Sequence, residues 1–234
     1  MSKELVKECG LGAILAVVAY VVGFAVFLPA GEPPGPDDMG VLLSFLSAHR
    51  TNLIIALWVF AIAAILNLGA LPAIYQLLHE KVALVSVALV ASIVGFLFAT
   101  MFLMGSLGIA YELAPAYAVA GEAARPALEA MGATLWTSGG LVHTLSHFFF
   151  WGIGATILAY VSLRVRAVPA WAAWLGLIGS VLAGYPGALE SVSAVKELAS
   201  LAELIGTVLY VIWLAAMGIA ALRYEEPVRS RARS

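Results

Sequence analysis

Six long apolar stretches, separated by short groups of charged residues, make up most of this chain. They cover about residues 10–29, 51–78, 82–111, 138–163, 170–186 and 201–223. An apolar run of roughly 18 residues or more is long enough to cross the hydrocarbon core of a bilayer. Such a run folds as a helix, because a lipid-exposed backbone must satisfy its own hydrogen bonds. The pattern therefore predicts an all-α fold, a polytopic bundle of six transmembrane helices in a single membrane domain over residues 1–234.

Composition agrees with a membrane protein and narrows the classes of partner. The 234 residues are 63% hydrophobic and 11% charged, with a net charge of −2, whereas soluble domains carry about 25% charged residues. The sequence contains no basic stripe and no nucleic-acid motif, so we expect the lipid bilayer, and no nucleic acid, as a partner. Cys9 is the only cysteine, which excludes an internal disulfide bond and a metal site built from several cysteines.

Lysine and arginine are distributed unevenly between the two sides of the predicted bundle. One side holds nine of the twelve: Lys3, Lys7, Lys81, Arg164, Arg166, Arg223, Arg229, Arg231 and Arg233. The other side holds Arg50, Arg125 and Lys196. Because cytoplasmic loops are enriched in Lys and Arg, both termini are predicted to be cytoplasmic. The arginine-rich tail is expected to contact anionic lipid headgroups at that face.

Two of the predicted outer loops are long and have amphipathic patterns. In the first, an aspartate that can cap a helix precedes three leucines on one face: Asp37 or Asp38, then Leu42, Leu43 and Leu46. In the second, about residues 114–137, three apolar residues share a helical face: Leu128, Met131 and Leu135. Both patterns predict short amphipathic helices on the outer surface. Ordinary connecting structure is the alternative.

Pro72 lies inside the second span and interrupts its helical hydrogen bonds. Proline removes one backbone donor and crowds the preceding turn, which predicts a kink near Leu68 and Gly69. Asn67 lies beside that kink, where its amide can satisfy a freed backbone group. Contact with a ligand is the other interpretation, because polar side chains inside a membrane are costly and frequently functional.

The fourth and sixth spans carry the residues with the most chemistry. His143 and His147 are four residues apart, so both imidazoles lie on one helical face and can meet one metal ion. One of them can also serve as a single axial ligand of a haem. Glu203, Thr207 and Tyr210 form a polar stripe on the sixth span. With the predicted topology, this stripe begins at the same outer level as the histidines.

These residues define two interpretations of one outer site. His143, His147 and Glu203 would suit zinc, with Glu203 as a ligand or a general base. The wider set describes an outward-facing pocket for a small ligand without metal: His143, His147, Glu203, Thr207, Tyr210, Glu190 and Asn67. Interhelical hydrogen bonding is the purely structural alternative. We expect no cofactor on the second interpretation, and zinc or haem on the first.

The fifth span has small residues at four-residue spacing, Gly176, Ser180 and Gly184. Small residues at this spacing let two helices approach closely. The stripe predicts either a packing seam inside the molecule or an interface for a homo- or hetero-oligomer.

From the fourth span onward, the order of aromatic, glycine and basic residues resembles a known family. The residues that carry the resemblance run from the fourth to the fifth span: Phe150, Trp151, Gly152, Gly154, Leu158, Tyr160, Arg164, Arg166, Pro169, Trp171, Leu175, Gly176 and Gly179. The family is the bacterial six-helix membrane group classed as domain of unknown function 4386. The resemblance is clear over about the last 90 residues and extends earlier only as hydropathy. It implies a multi-pass protein of a bacterial or archaeal inner membrane, and no activity.

Three functions remain open at this stage. The favoured one is a non-enzymatic protein that binds or passes a small or lipophilic ligand through the outward-facing pocket. The second is a membrane metalloenzyme or redox protein that uses His143 and His147. The third is a structural or accessory subunit of a membrane complex. Motifs of the common hydrolases and nucleotide-binding proteins are missing from the sequence.

Overall fold

The computed structural model describes residues 1–31, 33–35, 37–189 and 196–225, and every regular element in these ranges is helical. The α-helices are α1 (Lys3–Phe27), α2 (Met39–Ala48), α3 (Arg50–Leu78), α4 (Val82–Gly108), α5 (Ala114–Val119), α6 (Arg125–Ser146), α7 (Thr156–Val165), α8 (Ala170–Gly184) and α9 (Lys196–Leu222). The predicted all-α transmembrane bundle is confirmed. Glu190 and the tail arginines Arg229, Arg231 and Arg233 lie outside the described residues.

Among the described residues, five continuous helical stretches are long and apolar enough to cross a membrane. One of them, Arg50–Val119, contains both α3 and α4. These two helices form a hairpin, because Arg50 at the start of α3 donates to the carbonyls of Ala110 and Tyr111 beyond the end of α4, at 3.2 and 3.1 Å. The chain reverses in the 3-10 turn His79–Lys81. The structure thus provides six membrane-length passes.

The six passes pack in a ring whose order is α3, α1, α9, α8, the α6–α7 pass and α4, which returns to α3. Each pass is antiparallel to the one that precedes it in the chain. We call the end of the bundle with α2 and α5 the loop end. The opposite end, with the turn His79–Lys81 and residues 166–169, is the turn end. The membrane-embedded helices are held by the backbone hydrogen bonds that a lipid environment requires.

Large aromatic side chains fill the centre of the ring. Trp213 is fully buried there, and Trp151 and Tyr210 pack beside it. The outward surface is apolar as well, with exposed side chains such as Ile65, Val90 and Met104. Apolar surface of this extent marks contact with lipid or protein. We conclude that the chain is an integral membrane protein.

The first outer loop contains the expected capped helix, but its apolar face is used differently. Asp38, not Asp37, caps α2, because its Oδ1 accepts from the backbone N–H of Val41 at 3.0 Å. The three leucines predicted to form the apolar face are all buried: Leu42, Leu43 and Leu46. They pack against Leu113 and Tyr117 in a cluster at the loop end. This face therefore contacts protein and not a lipid surface.

In the second outer loop, the residues predicted to form an amphipathic helix are helical, but they are continuous with the fourth pass and do not form a helix of their own. Residues from Arg125 onward belong to α6, which continues into the fourth pass without a break. Leu128 packs on the cluster beneath α2, whereas Met131 and Leu135 are exposed. The apolar positions keep a spacing of 3.6 residues from the predicted loop into the fourth pass, so the sequence pattern alone could not mark where the loop ends.

The small-residue stripe of α8 is covered by the chain itself. Gly176, Ser180 and Gly184 are all buried. A side chain at Gly176 would overlap Trp213 of α9, and one at Gly184 would overlap the backbone at Gly152. The stripe is thus packed as a seam inside the molecule. Whether the protein also forms oligomers stays a prediction.

Candidate functional site

Three candidate ligands from two separate passes meet near the loop end. His143 lies on α6, His147 is the first residue of the π-helical segment His147–Ala155, and Glu203 lies on α9. Each offers one ligand atom, and these atoms lie within 4.8 Å of one another. The two imidazole ring centroids are 4.2 Å apart. No other group of this kind occurs in the part of the chain that the structure describes.

The orientation of the His147 ring is fixed by a backbone carbonyl. Its Nδ1 lies 2.9 Å from the carbonyl oxygen of Ala183 in the fifth pass, in a buried contact. A carbonyl only accepts, so Nδ1 carries a proton and donates it. The opposite nitrogen, Nε2, then points towards Glu203, with its atom 3.5 Å from Oε1. A histidine held in this way is oriented as metal-binding histidines are.

A π-helical segment begins at His147, and it changes the backbone directly after the ligand. Two side chains donate to carbonyl groups within the segment: Thr156 donates to that of Trp151 at 3.0 Å, and Tyr185 donates to that of Gly152 at 3.1 Å. The segment is therefore stabilised by side chains of its own pass and of the loop after α8. Such segments are frequent at functional sites.

The loop after α8 covers the site on the side of the loop end. Gly187 is buried in the 3-10 turn Gly187–Leu189. A Cβ atom placed there would lie 2.5 Å from His147 Nδ1 and 3.2 Å from Glu203 Oε2. The turn contacts α6, α8 and α9. A glycine is required because no side chain fits between this backbone and the two ligands.

Two other candidate residues, Asn67 and Tyr210, bond to each other. The Asn67 amide donates to the Tyr210 hydroxyl at 3.1 Å, or accepts from it at 3.2 Å. The side chain of Tyr20 of α1 also lies close to Asn67. The three side chains join α1, α3 and α9 in the bundle interior. Asn67 thus links helices, and the expected bond to a backbone group beside Pro72 is replaced by this contact within a continuous α3.

Replacing Tyr210 with phenylalanine is expected to destabilise the protein by about 0.6 kcal/mol, and by no more than about 1.7 kcal/mol. These values are the average and upper range for hydrogen bonds between helices in a membrane. Tyr210 is buried and its ring packs against Trp151 with centroids 4.4 Å apart, so the ring itself should stay in place. Unfolding of the purified protein in mixed micelles measures the change.

The matched control for that experiment is Tyr160→Phe, since Tyr160 is exposed. We expect no change in the free energy of unfolding for the control. Equal losses in both variants would contradict a specific role for the Asn67–Tyr210 bond.

The described clefts do not coincide with the predicted outward-facing pocket. A cleft of about 580 Å³ lies at the loop end between α2, α5 and α6, and its walls include Phe45, His49 and Glu129. None of the described candidate residues lines it. Thr207 is buried on α9, one turn from Glu203, and Glu190 lies outside the described residues.

Sequence reasoning missed three groups around the candidate residues. The carbonyl of Ala183 and the backbone at Gly187 contact the candidate metal ligands, whereas the side chain of Tyr20 lies beside Asn67. The carbonyl of Ala183 is a backbone feature that any residue type can supply, so it leaves no signal. Gly187 is visible as a glycine, but the need for it arises from contacts with distant passes. Tyr20 lies on the first pass in an apolar run, and its partner is far away in the chain.

Comparison with known families adds one match. The model of the family described as Domain of unknown function (DUF4386) matches residues 9–218, which is most of the chain. No curated protein and no solved structure matches the sequence.

Proposed function

The chain belongs to a family whose description, domain of unknown function 4386, defines no activity, and we propose its function from its site. The protein binds a divalent transition-metal ion, zinc by ligand type, through His143, His147 and Glu203. The contact that carries this proposal is the one between His147 and Glu203, with Nε2 and Oε1 3.5 Å apart.

The proton on Nδ1 of His147 leaves Nε2 free to bind a metal cation between His147 and Glu203. Since Nδ1 donates to the Ala183 carbonyl, a neutral His147 has a lone pair on Nε2 that faces a carboxylate oxygen. Two lone pairs at this distance repel each other, and the site is screened from water by burial. A positive ion between the two atoms removes the repulsion. A proton on Nε2 would do the same, and metal analysis distinguishes the two.

The distances also fit a shared ion. Zinc bound tetrahedrally at 2.0–2.1 Å holds its ligand atoms about 3.3 Å apart. The His147–Glu203 separation of 3.5 Å is close to that value. The most distant pair of ligand atoms, at up to 4.8 Å, must close by about 1.5 Å, a movement that a half-buried His143 can make by side-chain rotation.

The ligand set selects the metal class. Two neutral imidazoles with one carboxylate suit zinc, and three protein ligands leave a fourth position open. Sites of that composition occur in zinc enzymes, so the earlier alternative of a metalloenzyme becomes the favoured direction. The passage of a small ligand through a pocket formed by the same residues is correspondingly disfavoured, because the ligands face each other.

Metal analysis of the purified protein tests this function. We expect about one zinc ion per chain after purification without chelator, and restoration of that ratio when chelated protein is given zinc. A chain that neither retains nor takes up metal would make His147 and Glu203 an interhelical ion pair. Haem absorption in place of zinc would move the assignment to a haem with one histidine ligand.

We further propose that the protein lies in a bacterial or archaeal inner membrane with the turn end and both termini on the cytoplasmic side. Support comes from the excess of Lys and Arg at the turn end. The exposed side chains of Arg164 and Arg223 lie there. Contact of this face with anionic headgroups is part of the same proposal.

Labelling of single cysteines in intact cells tests the orientation. In a Cys9→Ser background, Glu122→Cys places a thiol at the exposed loop end, and Glu80→Cys places one at the exposed turn end. We expect a membrane-impermeant maleimide to label the first in intact cells and the second only after permeabilisation. The reverse pattern would invert the proposed topology.

A further inference from the structure

The three ligands lie at a defined depth in the bundle. His143 is 21 residues before Arg164 (164 − 143), and Glu203 is 20 residues before Arg223 (223 − 203). At 1.5 Å per residue, both intervals correspond to about 30 Å of helix. The hydrocarbon core of a bilayer is also about 30 Å thick. With the two arginines at one boundary of that core, the ligands lie at the opposite boundary, at the level of the lipid headgroups.

Access from the direction of the loop end is blocked by the chain. Residues 185–189 follow α8, which runs towards the loop end, and buried Gly187 packs directly against His147 and Glu203. The turn Gly187–Leu189 also contacts both α6 and α9. A ligand arriving along the bundle axis from that side would have to displace this turn.

The lateral surface of α6 and α9 at the depth of the ligands is apolar and exposed. Leu141, two residues before His143, is 62% exposed, and Leu204, next to Glu203, is 41% exposed. Leu201 on the same helix is also exposed. At this depth, such side chains contact acyl chains and the glycerol region of a lipid. The surroundings therefore favour a ligand that is itself part of the bilayer.

We infer that the fourth coordination position of the metal receives an oxygen from the anionic headgroup of an amphiphile, a phosphate or a carboxylate, presented laterally by the bilayer. This inference rests on the proposed metal site. Zinc accepts anionic oxygen ligands, and a headgroup held at the right depth by its acyl chain has a raised effective concentration at the metal. A water-soluble analogue lacks that advantage.

Cobalt-substituted protein in nanodiscs of neutral phosphatidylcholine provides the test. Cobalt(II) in a four-coordinate site has visible absorption bands that change with its ligands. Dodecyl phosphate and dodecanoate, below their micellar concentrations, are compared with ethyl phosphate and acetate. We expect the bands to change at a concentration at least about tenfold lower for the long-chain member of one pair. The pair that responds identifies phosphate or carboxylate as the donor.

The outcomes separate the two proposals. If cobalt bands form and the long-chain and short-chain probes act at equal concentrations, or neither acts, lateral recognition of an amphiphile is wrong and the metal site stands. If no cobalt band forms in the native chain, the metal site is wrong, and this inference is wrong with it. The His147→Ala variant serves as the negative control, because it should give no four-coordinate cobalt bands with any probe.

Discussion

Replacing His147 with alanine is expected to lower the zinc affinity of the purified protein by about 100-fold or more. Loss of a group that merely orients a ligand costs about 10–100-fold, and this change removes both the Nε2 ligand and the Nδ1 bond to Ala183. Glu203 would then face the cavity that the imidazole leaves. Competition with a chromophoric chelator, with the protein in detergent, measures the affinity.

The chain offers a matched control in His79→Ala. His79 also has its Nδ1 close to a backbone carbonyl, 2.6 Å from that of Gln76, but it is exposed at the turn end. It lies outside the group of metal-capable residues. Its variant should bind zinc as the native chain does. Equal affinity in all three proteins, or an equal loss in both variants, would remove His147 from the site.

Replacing Gly179 with alanine is expected to destabilise the bundle by about 1–3 kcal/mol, the usual cost of excess volume in a packed core. A Cβ atom at Gly179 would lie 2.6 Å from the backbone nitrogen of Tyr210 and 2.7 Å from the carbonyl oxygen of Gly206. These are backbone atoms of α9, so relief requires α8 and α9 to separate. Thermal unfolding in detergent should show a lower midpoint.

Gly105→Ala is the control for this effect, because a Cβ atom at Gly105 has no neighbour within 4 Å. Alanine is the better helix former by up to about 1 kcal/mol, so this variant should be as stable as the native chain or slightly more stable. A similar loss in both variants would show that glycine at these positions acts through the backbone and not through helix contact. Because α8 also carries the Ala183 carbonyl, Gly179→Ala should weaken zinc binding as well.

Hydropathy predicted the passes well, because length and apolar character are local properties. The helix cap and the apolar face of α2 were also predictable from the sequence, since both depend on residues within a few turns. The start of α6 was not predictable, because the amphipathic spacing continues from the loop into the membrane. The π-helical segment His147–Ala155 was not foreseen either: its hydrogen bonds are shifted by one residue, and the same side chains are compatible with an α-helix.

The candidate site was predictable only in its side chains. His143 and His147 share a face by their spacing, and Glu203 follows from counting passes to the same level. Asn67 and Tyr210 illustrate what could not be seen, since their sequence separation is 143 residues. Pairing at such a distance depends on which passes become neighbours in the ring, and hydropathy carries no information on that order.

The π-helical segment makes the number of residues in the fourth pass as important as their identity. It begins at His147 and ends directly before α7, which packs against α8. A π turn holds about one residue more than an α turn, because its hydrogen bonds span five residues and not four. Deleting one residue within Phe148–Phe150 would therefore let this turn close as α-helix, with the histidines kept on their face. The same deletion within α7 has no wide turn to absorb it and would rotate the preceding part of the pass by about 100° relative to the rest of α7. Both imidazoles would then turn away from Glu203, although every residue of the site would still be present.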